Sequence, residues 1–374
     1  MRVVVAPDSF GGTLSAVEAA EAVALGWRRS APGDELMLRP LSDGGPGFVD
    51  VLATVLDGQV VPVPTTDPLG RPVVGAVLVD RETAYVESAQ ATGLHLLTAA
   101  ERDPLRASSY GLGVLLAAAV ECGARTVVVG LGGSATNDAG GGMLAALGVT
   151  PLDAGGAALP YGGLALAALD RLEGAAQLRG AQLVVATDVD NPLCGPTGAT
   201  AVFGPQKGLR PEDLARLDAA LARWAEVAER DLPTAPAGLG TMPGAGAAGG
   251  LGAALLALGG LRQPGIELIS RVVDLPGALD GADLAVTGEG SFDFQSLRGK
   301  VASGVAAAAA ERGVPCLVLA GQVSVGRREA AAAGVEAAYS VADEAGSVEA
   351  ALQWPADRLA DLAARVAGQW SRSG

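Results

Sequence analysis

Residues 125–148 constrain the fold of this chain more than any other stretch, because an apolar strand pattern there runs directly into a glycine-rich loop and a helix pattern. The β-branched run at 126–129 predicts a buried strand. Glycines and polar side chains follow, and the apolar run at 143–147 predicts a helix that stops at Gly148. This order is typical of an anion-binding turn, since glycine lets backbone N–H groups approach a phosphate closely. A tight strand-to-helix turn without a ligand fits the pattern equally well.

The same loop leaves a second enzyme class open. The spacing Gly130-x-Gly132-x-x-Ala135 satisfies the loose form of the dinucleotide fingerprint, as in a nucleotide-dependent oxidoreductase. Such an enzyme is expected to carry an acidic residue for the ribose about twenty residues further on. Asp153 stands only loosely in that place, because Pro151 intervenes.

Length and charge limit the class of protein. A chain of 374 residues suits two domains, and an apolar content of 49% is ample for a packed core. The net charge of −15 argues against nucleic acid or an anionic membrane surface as a partner. The longest uncharged stretch, 232–261, is too rich in glycine and proline for a membrane span. We therefore expect small-molecule substrates.

The cysteines and the histidine exclude several kinds of chemistry. Cys122, Cys194 and Cys316 lie far apart and match no zinc or disulfide spacing, which favours a reduced, cytoplasmic setting. The single histidine, His95, stands in an apolar context typical of a structural residue. A Ser-His-Asp or Cys-His mechanism would depend entirely on it, so the sequence argues against hydrolase triads.

Lysine is nearly absent from the chain. Lys207 and Lys300 are the only lysines among 26 basic residues, and each follows a polar loop that contains glycine. An ammonium group acts as a compact point charge for phosphate, which is one reason to retain lysine at such places. The other explanation is that the two lysines stand at these places by chance.

Carboxylates follow several strand patterns. Asp8 and Ser9 stand where the strand pattern at 3–6 ends, and ligands of α/β folds bind beyond the carboxyl ends of strands. Asp43 precedes paired glycines, so its carboxylate is either a ligand or part of an ordinary Asp-Gly turn. Asp188 and Asp190 follow the strand pattern at 183–187 and suit Mg²⁺. An Asx-rich turn before a proline also explains this last pair.

The pattern of predicted secondary structure changes twice along the chain. From residue 60 to 87 short strand patterns alternate with turns, which indicates an antiparallel meander and a domain boundary near residue 65. After residue 260 strand and helix patterns alternate, which predicts a parallel sheet.

Several stretches, taken together and in this order, resemble the bacterial glycerate kinase family, type I, along essentially the whole chain. These stretches are APDSFGGTLSAVEAAEA, PLSDGGPGFVD, DPLGRPV, DPLRASSYGLG, VVVGLGGSATNDAGGGML, ATDVDNPLCGPTGATAVFGPQKG, PGAGAAGGLGA, PGIEL and DLAVTGEGSFDFQSLRGK.

The resemblance implies an α/β fold of two domains. A discontinuous, Rossmann-like domain with a parallel sheet would comprise residues 1–65 and 260–374, and an inserted α/β domain with a mixed sheet would comprise residues 66–259. The resemblance also implies phosphorylation of D-glycerate by ATP with Mg²⁺. The usual product of this group is 2-phosphoglycerate.

Two positions depart from the pattern of the family. The family usually has Ser-Phe-Lys-Gly where this chain has Ser9-Phe10-Gly11-Gly12, and Asp-Gly-Gly-Glu-Gly where this chain has Pro46 in place of Glu. A matched loss of an ion pair would leave the activity intact. Altered substrate choice would also account for both departures, as would a degenerate kinase that acts as a binding or sensor protein.

Neither lysine lies in a Walker A motif, so the kinase hypothesis assigns the phosphates to the amides of the glycine loop. Lys207 and Lys300 are the candidates to contact the transferring phosphate. The ATP-binding residues that we predict are Gly132, Gly133, Ser134, Thr136 and Asn137.

The remaining roles fall to charged residues. Asp188 and Asp190 are assigned to Mg²⁺. Asp43 is the candidate to orient or deprotonate the glycerate hydroxyl, with Asp190 in reserve. Arg71 or Arg298 would bind the glycerate carboxylate, and Asp8 and Ser9 would also contact substrate. The sequence leaves open which hydroxyl reacts, how strict substrate choice is, the pathway, and whether the protein is a monomer or a homodimer.

Overall fold

The computed structural model describes residues 1–297 and 300–371, so the predicted substrate residue Arg298 lies outside the described residues. The strands are β1 (Arg2–Val5), β2 (Glu35–Leu38), β3 (Gln59–Thr66), β4 (Pro72–Asp80), β5 (Thr83–Glu87), β6 (Thr126–Gly130), β7 (Val149–Leu152), β8 (Arg171–Gly174), β9 (Gln182–Ala186), β10 (Leu261–Gln263), β11 (Leu284–Phe292), β12 (Cys316–Val323) and β13 (Ala337–Ser340).

The α-helices are α1 (Ala16–Ser30), α2 (Phe48–Ala53), α3 (Ala89–Thr92), α4 (Tyr110–Glu121), α5 (Gly141–Ala146), α6 (Ala199–Phe203), α7 (Leu214–Asp231), α8 (Ala247–Ala257), α9 (Gly265–Val272), α10 (Leu275–Leu279), α11 (Val301–Ala310), α12 (Arg327–Ala332), α13 (Val341–Ala345), α14 (Val348–Gln353) and α15 (Pro355–Trp370). Short 3-10 helices lie at Leu94–Leu96, Ala99–Glu101, Gly163–Ala168, Pro205–Lys207, Pro211–Asp213 and Leu239–Thr241.

The chain folds into two compact units. Unit 1 consists of Met1–Asp43, Asp50–Val55 and the described residues from Gly265 onward, and unit 2 consists of Gly44–Val49 and Leu56–Pro264. The compact units divide after Val55 and after Pro264, because β3 pairs with β4 and β10 pairs with β9, and these pairings join both outer strands to unit 2. The domain divisions near residues 65 and 260 stay a prediction.

Unit 1 is built on a parallel sheet with the strand order β13-β12-β11-β1-β2. The residues of β1 from Val3 to Val5 are fully buried, as expected for a parallel strand that is covered on both faces. Helix α1 begins at a capping box in which Ser15 and Glu18 satisfy each other's backbone N–H groups. It shares one hydrophobic core with α15 and the sheet.

Unit 2 is built on a mixed sheet with the strand order β10-β9-β6-β5-β4-β3. The predicted antiparallel meander corresponds to β3, β4 and β5, and β5, β6, β9 and β10 run parallel. Helix α7 presents a buried stripe with Leu217, Leu221 and Trp224, spaced as one face of a helix, to the core of this unit. The predicted α/β class, with a parallel sheet and a mixed sheet, is therefore confirmed.

A helix that spans a bilayer needs about 20 predominantly apolar residues. Among residues 1–297 and 300–371, no helix combines the length and the apolarity that crossing a membrane requires.

Contact between α1 and α15 gives a test of the packing in unit 1. An added Cβ at Gly26 on α1 would overlap the carbonyl oxygen of Ala360 on α15, whereas one at Gly368 on α15 would meet no atom within 4 Å. We predict that Gly26→Ala destabilises the protein by about 1–3 kcal/mol, because the helices must move apart. Gly368→Ala should stabilise it by about 0.5–1 kcal/mol, because alanine favours the helix.

The measurement is thermal unfolding of both variants, followed by circular dichroism. Since both substitutions add the same methyl group to the same helix pair, an equal shift in their midpoints would contradict the predicted contact.

Candidate active site

The loop that follows β6, which we call the glycine loop (residues 130–140), lies in direct backbone contact with the turn 44–47 of the same unit. An added Cβ on Gly130 would lie 2.7 Å from the carbonyl oxygen of Gly44, and one on Gly132 would lie 2.6 Å from the Cα of Gly45. A side chain at either position would force the two backbones apart. Glycine is therefore required here by close packing, whatever the loop binds.

Glu87, the last residue of β5, holds the same turn in place. It is 4% exposed, and its Oε2 accepts the N–H groups of Gly47 at 3.1 Å and Val49 at 3.4 Å. The ring of Pro46 lies against Gly133, where an added Cβ would be 3.0 Å from the ring carbons. The proline that departs from the family pattern thus packs on the glycine loop.

Lys207 supports the glycine loop from the interior of unit 2. Its side chain is 2% exposed, and its Nζ donates to Ser134 Oγ at 3.0 Å and to the carbonyl oxygen of Thr136 at 2.7 Å. Burial lowers the pKa of the Lys207 ammonium to about 7, and the nearby Asp138 carboxylate opposes this shift. Even a neutral amine keeps the protons for both hydrogen bonds, so the loop stays tied at either charge state.

The polar side chains that we expected to contact phosphate are buried instead. Ser134, Thr136 and Asn137 are at most 4% exposed, and Asn137 Nδ2 donates to Thr200 Oγ1 at 3.0 Å. Thr136 Oγ1 and Asn137 Oδ1 are buried without a partner among the residues that the structure describes. In the segment 132–137, Gly133 is exposed and Gly132 is half-buried. The loop therefore presents glycine backbone outward and keeps its polar side chains inside.

Asp138 anchors the start of α5. Its carboxylate accepts the Ser109 N–H at 2.9 Å, the Ser109 hydroxyl at 2.8 Å, and the N–H groups of Gly140 and Gly142 at 3.1 and 3.2 Å. Burial raises the pKa of Asp138, and these hydrogen bonds work in the opposite direction. The Asp138 carboxylate thus holds the end of the glycine loop in place through these hydrogen bonds.

The two aspartates assigned to Mg²⁺ follow β9, as predicted, but differ in their surroundings. The Asp190 side chain is 77% exposed, and its Oδ1 lies 2.5 Å from Nη2 of Arg262. Asp188 is half-buried. Across residues 1–297 and 300–371 there is no group of three or more His, Cys, Asp or Glu side chains arranged to hold a metal ion.

Arg71 is also engaged within unit 2. Its guanidinium bonds to Asp67 at 2.5 Å, to Glu101 at 2.7 Å and to the carbonyl oxygen of Leu96 at 3.1 Å. These contacts tie the turn after β3 to the segment around Leu96. A carboxylate of a substrate would have to compete with them.

Unit 1 contains a cavity of about 450 Å³ at the carboxyl ends of β1 and β11. Asp8, Ser9 and Gly11 line it from the loop after β1, Glu289 lines it from β11, and Lys300 lines it from the residue before α11. An apolar part of its lining comes from the last helices of the chain. We call this cavity the unit 1 pocket.

Carboxylates dominate the polar end of the unit 1 pocket. Burial raises the pKa of Asp8 to about 8, with further increases from Asp43 and Glu289, while the Ser9 N–H and the Lys300 ammonium lower it. Burial likewise raises the pKa of Glu289 to about 7, and the Ser296 hydroxyl and Lys300 oppose that rise. Asp43 thus lies close enough to both residues to repel their charges.

Glu289 is the residue of this site that we did not predict. It is 7% exposed, and its Oε1 is buried without a partner in the part of the chain that the structure describes. A signal for it was present, since it lies near the carboxyl end of the strand that pairs with β1. In a parallel sheet such neighbours bring their side chains to one edge.

The predicted site residues thus form two groups. In unit 1 the structure brings together Asp8, Ser9, Asp43 and Lys300. In unit 2 it bonds Lys207 to Ser134 and Thr136 of the glycine loop, which also contains the predicted residues Gly132, Gly133 and Asn137. Asp190 and Arg71 are held by partners of their own.

Residues 3–371 match the model of the glycerate kinase family. The glycerate kinase of Bacillus subtilis is 40% identical over 98% of this chain and 97% of its own length. The glycerate 2-kinase of Escherichia coli is 37% identical over the same shares. A crystal structure described as a putative glycerate kinase 2 from Salmonella typhimurium LT2 has a TM-score of 0.81 and 38% identity, covering 99% of this chain and 98% of that one.

These matches define an α/β enzyme of the kinase class. The chain belongs to the glycerate kinase family. The oxidoreductase alternative is not favoured.

Lys207 gives a prediction for stability against pH. Its pKa is about 7 in the folded protein against an ordinary value of 10.5, so between these values the unfolded chain binds a proton that the folded chain does not. Stability from this group therefore increases as the pH rises from about 7 to about 10, by at most about 1.4 kcal/mol per pH unit. Lys207→Met should remove this increase.

Urea unfolding at several pH values between these limits measures the effect. Arg28→Met is the control, because it also replaces a cation by methionine, at an exposed position on α1, and should keep the pH dependence of the wild type. Identical slopes in the wild type and Lys207→Met would contradict the prediction.

Proposed function

We propose that this protein is a glycerate kinase that transfers the γ-phosphoryl group of ATP to D-glycerate and forms 2-phosphoglycerate. The observation that carries the proposal is the family match, which spans residues 3–371 and includes relatives named for this activity. Phosphoryl transfer asks a protein for positioning and charge neutralisation more than for covalent chemistry. The site residues of unit 1 and those of unit 2 are suited to positioning the substrates and neutralising their charge.

In unit 2, we propose that the backbone of Gly132 and Gly133 binds a phosphate group. Glycine at the exposed part of the loop allows an anion to approach N–H groups that a side chain would cover. Ser134, Thr136 and Asn137 then act by holding the loop, since they are buried. Lys207 is a positioning residue for the same reason, and this replaces its expected contact with the transferring phosphate.

In unit 1, we propose that Asp43 accepts the proton of the glycerate hydroxyl or orients that hydroxyl. Its carboxylate lies near those of Asp8 and Glu289 and contributes to the raised pKa of each of these two residues. Lys300 lines the same pocket and supplies the positive charge for the transferring phosphate. Asp190, the reserve base, is less suited because Arg262 pairs with it.

The kinase reaction is expected to need Mg²⁺, and the donor set of the unit 1 pocket fits this ion. Glu289 offers a buried, unpartnered carboxylate oxygen among the described residues, and Asp8 lines the same end of the pocket. Mg²⁺ is commonly bound by one or two carboxylates together with substrate phosphates. We therefore assign it to Asp8 and Glu289 in place of Asp188 and Asp190. When bound, the ion would neutralise charge on the phosphates.

The family departure at position 11 leaves room in this pocket. Gly11 has a φ of +52°, and an added Cβ would meet no atom within 4 Å. The lysine that the family usually carries there is thus absent without being replaced by another side chain. We propose that the kinase activity is retained, with Lys300 as the cation of the pocket.

We also propose that the protein works in the cytoplasm. Its cysteines are free thiols, and burial raises the pKa of Cys194 and Cys316 to about 12. Thiols of this kind react poorly at neutral pH, as suits residues that serve packing.

The proposal predicts ADP release from Mg²⁺-ATP in the presence of D-glycerate, at a rate on the order of 1–100 s⁻¹. A coupled ADP assay measures the rate, and NMR of the product identifies the phosphorylated hydroxyl. Phosphate on the 2-hydroxyl is the expected result. ATP binding without turnover would overturn the proposal and favour a binding or sensor protein.

The role of Asp43 predicts that Asp43→Asn lowers kcat by about 10²–10⁴-fold, because general-base assistance is lost. Asp57→Asn is the control, since Asp57 is an exposed aspartate outside both groups of site residues. If the kcat of Asp43→Asn lies within threefold of the wild-type kcat, Asp43 does not act as the general base.

A further inference from the structure

The unit 1 pocket is larger and less polar than glycerate requires. Its volume of about 450 Å³ falls within the range of about 300–1,000 Å³ that is typical of sites for drug-sized ligands and cofactors. Glycerate is a small acid that carries a polar group on every carbon. A pocket shaped for glycerate alone would be small and lined by polar groups throughout.

The wall of the unit 1 pocket that α14 and α15 form is apolar because of helical spacing. Val348, Ala351 and Leu352 stand at positions i, i+3 and i+4 of α14, and Pro355 and Leu359 stand at i and i+4 of α15. Each set shares one helix face, and both faces line the pocket. Leu352 remains 55% exposed, which leaves apolar surface for a ligand to cover.

The two ends of the pocket therefore have opposite character. Asp8, Glu289 and Asp293 line it together with Lys300, so carboxylates outnumber ammonium groups among the described lining residues. Such an end repels a bare polyphosphate and accepts one that carries a divalent cation. The apolar end gains free energy only from a ligand with apolar surface.

We infer that the unit 1 pocket binds the nucleoside end of the magnesium nucleotide, with the base against the apolar wall formed by α14 and α15. The inference rests on the proposed kinase function and names the substrate that this pocket takes. Gln322, at the end of β12, lines the pocket and offers an amide to the polar edge of the base. The carboxylates of the same pocket would hold the metal ion.

The test measures binding of Mg²⁺-ATP and of magnesium tripolyphosphate to the full chain by isothermal titration calorimetry. Base contact with the apolar wall predicts that the wild type binds ATP at least tenfold more tightly than tripolyphosphate. Leu352→Asp should weaken ATP binding at least tenfold and should leave the affinity for tripolyphosphate within twofold. Leu25→Asp is the matched control, because Leu25 is 60% exposed on α1 and does not line this pocket.

Steady-state kinetics separate the two substrates. Leu352→Asp should raise the KM for ATP and leave the KM for glycerate unchanged. An unchanged affinity for ATP in this variant, or a rise in the KM for glycerate alone, would overturn the inference while the kinase function stands. Tight ATP binding that depends on Leu352, without turnover of glycerate, would support the inference and overturn the proposed function.

Discussion

The contact on which the rest of unit 2 depends is one of backbone against backbone. Gly130 and Gly132 meet Gly44 and Gly45 at distances that no side chain allows. Because the contact has no side chains of its own, it is held from both sides by buried charges: Glu87 bonds to the turn 44–47, and Lys207 bonds to the glycine loop. Each charge is used to satisfy backbone or hydroxyl groups and is thereby withdrawn from solvent.

Unit 1 uses buried charge in the opposite way. Asp8 and Glu289 face a pocket, and burial raises both of their pKa values. In the folded protein such carboxylates are destabilising when ionised without a counter-ion, since their desolvation is not fully offset by hydrogen bonds. A divalent cation or a proton relieves that cost. In unit 1 these buried carboxylates line a pocket, whereas in unit 2 the buried charges of Glu87 and Lys207 bond to the protein itself.

Much of this was predictable from residue patterns. The run at 126–129, the meander from 60 to 87 and the alternation after 260 each reflect local periodicity, and all three are present as strands in the expected sheets. The direction of the loop side chains was not predictable, because Thr136 and Asn137 look like donors until their burial is known. Glu289 was missed for a related reason, since its importance depends on which strand lies beside β1.

The scarcity of lysine has a practical consequence for chemical labelling. Of the two lysine side chains, Lys207 is enclosed in unit 2 at 2% exposure and is therefore shielded from bulky acylating reagents. Lys300, half-buried at the rim of the unit 1 pocket, is the remaining lysine of the sequence. Among the lysine side chains, acylation is therefore expected at Lys300, and its rate reports whether a ligand covers the unit 1 pocket.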